Sequence, residues 1–222
     1  MQGIMETIFD ITYLFTVITI GILMVSKAKD KKEYMLFGIM ALVLGIGDAF
    51  HLFPRAYALL TTGLINNAGA LGIGKLITSI TMTIFYVILY SIWKMRYKIT
   101  KVRWLDFTIY MLAVIRIILC AFPQNEWLNY STPVIWGIYR NIPFAIMGII
   151  ILVLFYIQSK KQKDTNYKFM WFAIVLSFGF YIPVVLWAQT YNWVGALMIP
   201  KTLAYVWIIF MGFIEFKGLN KE

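Results

Sequence analysis

Cysteine, histidine and acidic residues are all scarce in this sequence of 222 residues. The single cysteine, Cys120, cannot form an intramolecular disulfide or a cysteine-based metal site. The single histidine, His51, cannot build the three-histidine zinc site that some hydrolases use. We therefore expect no metal and no cofactor.

Acidic residues number 10 against 20 basic ones, which gives a net charge of +10. In a soluble protein such a balance would suggest nucleic acid, but 61% of this chain is hydrophobic and its mean hydropathy is +0.78. That composition indicates an integral membrane protein, in which the position of basic residues matters more than their sum. We expect the lipid bilayer as a partner, and no nucleic acid.

Long apolar runs predict an all-α integral membrane fold with seven transmembrane helices. A helix needs about 20 apolar residues to cross the hydrocarbon core of a bilayer. On that basis the predicted helices cover residues 5–26, 34–54, 72–93, 104–122, 133–158, 168–189 and 193–216.

Most basic residues fall on one side of this predicted bundle, because they lie in alternate loops and in the tail. The positive-inside rule makes that side cytoplasmic, so the amino terminus is expected outside and the carboxyl terminus inside a plasma membrane of the bacterial inner-membrane type. These residues are Lys27, Lys29, Lys31, Lys32, Lys94, Arg96, Lys98, Lys101, Arg103, Lys160, Lys161, Lys163, Lys168, Lys217 and Lys221.

An internal repeat connects the two ends of the chain. Residues 195–202 match residues 69–76 at Gly, Ala, Leu, Ile and Lys, so that Lys201 corresponds to Lys75. The match predicts a duplicated bundle within a single membrane domain over residues 1–222. Its parts are a first repeat over about 5–95, a linker helix over about 104–122 and a second repeat over about 133–217.

Because three helices are an odd number, the linker helix returns the second repeat to the orientation of the first, which gives two parallel repeats. This arrangement of three, one and three helices, with the amino terminus outside, resembles the SWEET, PQ-loop and PnuC-type transporters. The resemblance implies a transporter with a polar site between the two halves.

Five basic residues remain, and all of them fall in the predicted outer half of the membrane: Arg55, Lys75, Arg116, Arg140 and Lys201. Cations at similar depth on several helices are costly in lipid, so they should face a common cavity. Together with Asn141 they are the predicted substrate-binding residues. Arginine and lysine favour a small carboxylate or phosphate as the ligand.

Helix 2 carries Asp48, His51 and Arg55 on one face, because their spacing matches the helical period. Asp48 and His51 are predicted to couple a proton, since histidine titrates near neutral pH. Asp48 is expected to be the only deep acid, with Glu6 and Asp10 at the outer edge.

Three prolines, Pro143, Pro183 and Pro200, lie in the same outer half. A proline inside a helix frees a carbonyl group and permits a kink. We expect these three positions either to act as hinges or to widen a static pocket.

An enzyme is the alternative. Residues 47–55 resemble the Gly-Asp-x-x-x-Leu-x-Pro stretch of the YhhN-type lysoplasmalogenases, which are membrane hydrolases of lysolipids. The resemblance implies a lysolipid ligand and catalytic roles for Asp48 and His51, although acid catalysis by Asp48 would lack a partner carboxylate. A seven-helix sensor or a retinal-type protein with its Schiff base on Lys201 is a minor alternative. The oligomeric state, including a homo-oligomer, is left open.

Overall fold

A computed structural model describes residues 2–28 and 31–219, and the regular secondary structure of this part of the chain is entirely helical. It contains seven long helices, joined by loops and three short 3-10 segments. The helices are α1 (Gln2–Lys27), α2 (Lys32–Leu60), α3 (Ala68–Arg96), α4 (Arg103–Ala121), α5 (Val134–Lys161), α6 (Met170–Trp187) and α7 (Met198–Leu219). The 3-10 segments are Ile65–Asn67, Pro123–Asn125 and Asn192–Leu197.

All seven helices are long and apolar enough to cross a membrane. Large apolar side chains cover their outer surfaces, as at Phe15, which is 72% exposed, and Trp104, which is 85% exposed. Soluble proteins rarely expose apolar surface on this scale. The prediction of a multi-pass, all-α membrane protein with seven helices is therefore confirmed.

The helices form a ring in chain order, in which each helix packs against the next and α7 closes against α1 and α2. Helices α1 and α2 approach each other closely, since an added Cβ atom at Gly38 would lie 3.0 Å from the carbonyl oxygen of Gly21. Small residues at helix contacts let backbones approach closely in membranes. The ring leaves an interior that side chains from every helix can reach.

A layer of aromatic rings fills the middle of this interior, and we call it the aromatic layer: Phe85, Tyr86, Phe144, Phe178 and Tyr205. The Tyr86 ring centroid lies 5.0 Å from that of Phe144 and 5.5 Å from that of Phe178. Phe85 and Tyr205 are also 5.5 Å apart. Edge-to-face and tilted ring pairs of this kind stabilise a core beyond the burial of their surface.

One end of the bundle, which we call the basic end, contains the loops 97–102 and 162–169 and the adjoining ends of α1 and α2 at Lys27 and Lys32. Arg96 of α3 holds this end together. It donates hydrogen bonds to Glu215 of α7 at 2.6 Å and to Asp164 at 2.9 Å, and it lies 3.6 Å from Glu33 of α2. Its guanidinium also lies 4.4 Å from the ring centroid of Tyr167. Arg96 therefore links three parts of the ring.

Asp164 lies in the loop between α5 and α6. Burial alone would raise the pKa of this carboxyl, but its hydrogen bonds from Arg96 and from the backbone N–H groups of Tyr167 and Asn166 outweigh burial. The pKa of Asp164 is consequently lowered below its ordinary value.

The predicted helix boundaries are close to those observed, with two differences that matter for the site. Helix α2 continues through Pro54 to Leu60, six residues beyond its predicted end. Pro200 lies in the first turn of α7, where a missing N–H group removes no helical hydrogen bond. The expected kink at Pro200 is therefore wrong, whereas Pro143 and Pro183 do lie inside α5 and α6.

The two repeats and the orientation in the membrane stay predictions. Lys29 and Lys221, which the sequence assigns to the cytoplasmic side, lie outside the described residues.

Candidate functional site

A cavity of about 340 Å³ opens into the ring at the end opposite the basic end, which we call the cavity end. The loops 61–67, 122–133 and 188–197 lie at this end. All seven helices contribute to the cavity wall, and Phe144 and Tyr205 of the aromatic layer belong to it. A volume of this size lies within the range of about 300–1,000 Å³ that is usual for small-molecule sites.

The cavity brings together most of the residues that the sequence singles out: Asp48, His51, Arg55, Lys75, Arg116, Arg140 and Lys201. Asn141 does not line it. The Asn141 side chain donates to the carbonyl oxygen of Gly137 and accepts a 3.0 Å hydrogen bond from the hydroxyl of Tyr181. Because Tyr181 lines the cavity, Asn141 orients a wall residue and does not face the cavity itself.

Two further acids line the cavity, which corrects the expectation that they lie at the outer edge. Glu6 and Asp10 sit on successive turns of α1, and both face inward. Asp10 is only 7% exposed, and its Oδ2 atom has no hydrogen-bond partner within the described chain. Glu6 forms an ion pair with Arg55. Asp48 is therefore not the only acid of the site.

The cations of the cavity are poorly matched by acids. Within residues 2–28 and 31–219, Arg55 is the only one of the five with a carboxylate within 4 Å. Lys75, Arg116, Arg140 and Lys201 have none. At the basic end, by contrast, Lys94 lies 2.7 Å from Asp106, and Arg96 has several acidic partners. The unmatched positive charge thus belongs to the cavity.

Aromatic rings take the place of acids beside three of these cations. The guanidinium of Arg116 lies 3.4 Å from the ring centroid of Phe144, and that of Arg140 lies 4.4 Å from Trp127. The Lys201 ammonium lies 5.0 Å from the centroid of Tyr181. Cation–π contacts stabilise a positive charge without neutralising it, so the cavity keeps its positive character.

Arg116 is the most deeply buried of the cations. It is 2% exposed, and within the described residues its Nε and Nη1 atoms have no hydrogen-bond partner. A buried guanidinium normally has its N–H groups hydrogen-bonded, because each one left bare costs free energy. Arg116 therefore presents N–H donors on Nε and Nη1 that have no acceptor within the described chain.

Asp48 is held by Tyr13, whose hydroxyl donates a 2.7 Å hydrogen bond to its Oδ2 atom. Tyr13 lies on α1 and is 5% exposed. Lys201 of α7 is the cation that attracts Asp48 electrostatically, although the two are not in contact. Asp48 is thereby placed between the acids of α1 and the cation of α7, Lys201.

The loop between α4 and α5 forms one wall of the cavity end. Asn125 is fully buried, and its side chain accepts a 2.8 Å hydrogen bond from Arg140. Trp127 donates from its indole to the carbonyl oxygen of Cys120 and packs on Arg140. The loop backbone at Trp127 passes so close to Gly72 that a Cβ atom there would overlap the carbonyl oxygen of Trp127.

His51 of α2 faces the same cavity, and its Nδ1 atom has no hydrogen-bond partner within the described chain. Gly74 of α3 lies against the backbone of Phe50 and His51, where a Cβ atom would overlap it. This close approach holds the backbone of α2 at His51 against α3. The Nδ1 atom can therefore exchange a hydrogen bond with a ligand or with water.

The sequence did not single out Tyr13 and Tyr181 as site residues. The chain has 14 tyrosines, and most tyrosines in a membrane protein serve packing or interfacial anchoring. The only available signal was that Tyr13 lies one turn after Asp10, on the same face of α1.

The chain matches no protein-family model, no curated protein and no solved structure.

Proposed function

We propose that the protein is a membrane transporter or binding protein for a small anionic solute, either a carboxylate or a phosphate. One observation carries the proposal: four cations of a single cavity, Lys75, Arg116, Arg140 and Lys201, have no carboxylate within 4 Å in the described chain. An ionised group inside a membrane domain is costly unless it is paired. A bound anion would supply the missing partner.

The type of cation favours the same ligand chemistry. Arginine presents a planar fork that matches a carboxylate or a phosphate through two parallel hydrogen bonds. Arg116 offers two nitrogen atoms without partners, Nε and Nη1. Lys75, which is exposed to the cavity mouth, would attract the anion, while the buried Lys201 would contact it deeper inside.

The protonatable pair of α2 extends the proposal to coupling. Asp48 and His51 are one helical turn apart and both line the cavity. In a transporter these two groups would take up a proton with the anion and release it after transport. The cavity end would face the outside of a plasma membrane, in line with the distribution of the lysines.

A thermal-shift screen of the detergent-purified protein tests the proposal. Inorganic phosphate, phosphorylated metabolites and carboxylates would be added to the wild type and to Lys75→Ala and Lys201→Ala. A ligand that binds the folded state raises its melting temperature by mass action. We expect a shift in the wild type that both variants lose.

Lys101→Ala is the matched control, because Lys101 is an exposed lysine in a basic-end loop. It should respond to ligand like the wild type. An anion-induced shift that survives in both Lys75→Ala and Lys201→Ala, or no shift with any anion, would contradict the proposal.

A lysolipid hydrolase of the lysoplasmalogenase type is the second candidate, and the position of Asp10 favours it. The sequence left Asp48 without a partner carboxylate, but Asp10 faces the same cavity and interacts with Asp48 electrostatically. Two carboxyl groups can act as general acid and general base. Aldehyde release from a lysoplasmalogen, lost in both Asp10→Asn and Asp48→Asn, would support this candidate over the transporter.

A further inference from the structure

Most acids and cations enter the cavity from different helices, and only α2 carries both, Asp48 and Arg55. The charged residues that α1 contributes are both acids, Glu6 and Asp10. The cations Lys75, Arg116, Arg140 and Lys201 come from α3, α4, α5 and α7. In a ring that follows chain order, α1 lies across from α4 and α5. The cavity therefore has an acidic side and a basic side.

Electrostatic interactions connect the charged groups of the cavity to one another. Asp10 interacts with Glu6, Arg55 and Asp48. Asp48 is attracted to Lys201, and Lys201 is repelled by Arg116. Arg116 in turn is repelled by Arg140. Apart from Arg55, which is paired with Glu6, the charge changes sign between Asp48 and Lys201.

A buried ionisable group with an unpaired polar atom lies on each side, within the described residues. On the acidic side, Asp10 is 7% exposed and its Oδ2 atom accepts no hydrogen bond within the described chain. The one nearby cation, Arg55, is bound to Glu6. On the basic side, Arg116 is 2% exposed with two bare nitrogen atoms. A simple anion would satisfy Arg116 and would leave Asp10 bare, at a cost in free energy.

We propose that the solute is a zwitterion, with an ammonium group bound by Asp10 and a carboxylate or phosphate bound by Arg116. This inference rests on the proposed function and narrows its substrate class. Such a molecule pairs both bare groups at once, and its own net charge near zero lowers the cost of bringing it into a membrane domain. Amino acids and amine-bearing phosphates share this chemistry.

The test compares the affinities of molecules of matched length. Straight-chain ω-amino carboxylates, from glycine to aminohexanoate, would be compared with the carboxylates and the alkylamines of equal chain length. Binding to the detergent-purified wild type would be followed by calorimetry and thermal shift at neutral pH, where both end groups are charged. Phosphoethanolamine and inorganic phosphate would form a second matched pair.

We expect at least one zwitterion to bind about tenfold more tightly than its matched anion. Asp10→Asn should remove that preference by weakening zwitterion binding without weakening binding of the matched anion, while Arg116→Gln should weaken both. Asp10→Ser is a second variant with the same expected result. Glu126→Gln is the control, since Glu126 is exposed and lies outside the cavity, and it should keep the preference.

Equal binding of a zwitterion and its matched anion would overturn the inference and would leave the anion proposal intact. So would a zwitterion preference that persists in Asp10→Asn. If no zwitterion binds the wild type, the inference fails as well, and the screen of anions against Lys75→Ala and Lys201→Ala decides the proposed function separately.

Discussion

The guanidinium of Arg116 lies 3.4 Å from the ring centroid of Phe144, and no carboxylate in the described chain reaches it. Arg96, at the opposite end of the bundle, binds Asp164 and Glu215 directly. The two arginines therefore differ in what their removal would do. Acids hold Arg96 in place, whereas under the proposed function Arg116 is left to bind the ligand.

Replacing each arginine by methionine should separate these roles. Arg96→Met leaves buried acids without a partner and should destabilise the protein by about 3–5 kcal/mol. Arg116→Met removes an unmatched charge and should leave stability unchanged or raise it by as much as about 4 kcal/mol. Melting temperatures in detergent without ligand check both. If Arg116→Met melts as early as Arg96→Met, a structural role explains Arg116 better.

The hydrogen bond between Tyr13 and Asp48 should be worth about 1–3 kcal/mol, because Tyr13 is buried and the acceptor is a carboxylate. Tyr13→Phe should therefore lower the melting temperature. A double-mutant cycle with Asp48→Asn measures the coupling between the two residues. Tyr57→Phe, at an exposed tyrosine, is the control. Additive effects of Tyr13→Phe and Asp48→Asn would mean that the bond contributes nothing.

Lowering the pH should destabilise the basic end of the bundle, because Asp164 becomes protonated. The pKa of this carboxyl is lowered in the folded protein, so the stability that it contributes is present in full above its ordinary pKa of about 4. That contribution is lost as the pH falls below 4 and through the lower folded pKa.

Melting temperatures from pH 7 down to acid should show this loss in the wild type. Asp164→Asn should start lower at pH 7 and should have a shallower decline in acid. A wild-type curve that runs parallel to that of Asp164→Asn would contradict the assignment of this pH dependence.

Gly72 and Gly69 form a matched pair on α3. An added Cβ atom at Gly72 would overlap the carbonyl oxygen of Trp127, whereas nothing lies within 4 Å of one at Gly69. Gly72→Ala should displace the loop that positions Trp127 and Arg140, and should weaken anion binding about tenfold or more. Gly69→Ala should bind normally and melt slightly higher, because alanine favours a helix by about 0.5–1 kcal/mol. Equal binding by the two variants would show that the loop position does not matter.

The helices could be predicted from the sequence because hydrophobic length alone defines a crossing. The position of four cations in one cavity could be predicted for a related reason. Cations at one depth in a membrane avoid contact with lipid by facing a common interior, as do Lys75, Arg116, Arg140 and Lys201. In both cases a single strong physical cost, the exposure of polar groups to lipid, decides the outcome.

The acids of α1 were misplaced because the sequence does not say how far a helix end extends beyond its neighbours. Glu6 and Asp10 lie near the start of α1, but α2 and α3 reach well past the predicted boundaries on either side of the 61–67 loop and enclose them. Asn141 was predicted to bind the substrate together with its neighbour Arg140. Adjacent residues on a helix point about 100° apart, and only one of the two faces the cavity.

The aromatic layer that forms the inner wall of the cavity also separates it from the basic end. Tyr86 and Tyr205 are almost fully buried, and the Tyr86 hydroxyl is within 3.0 Å of Ser177 Oγ. A hydrated ion that enters the cavity would meet packed aromatic rings across its path, and these rings do not replace its water shell. Membrane vesicles that carry the protein in this conformation should therefore leak protons and small ions no faster than vesicles of lipid alone.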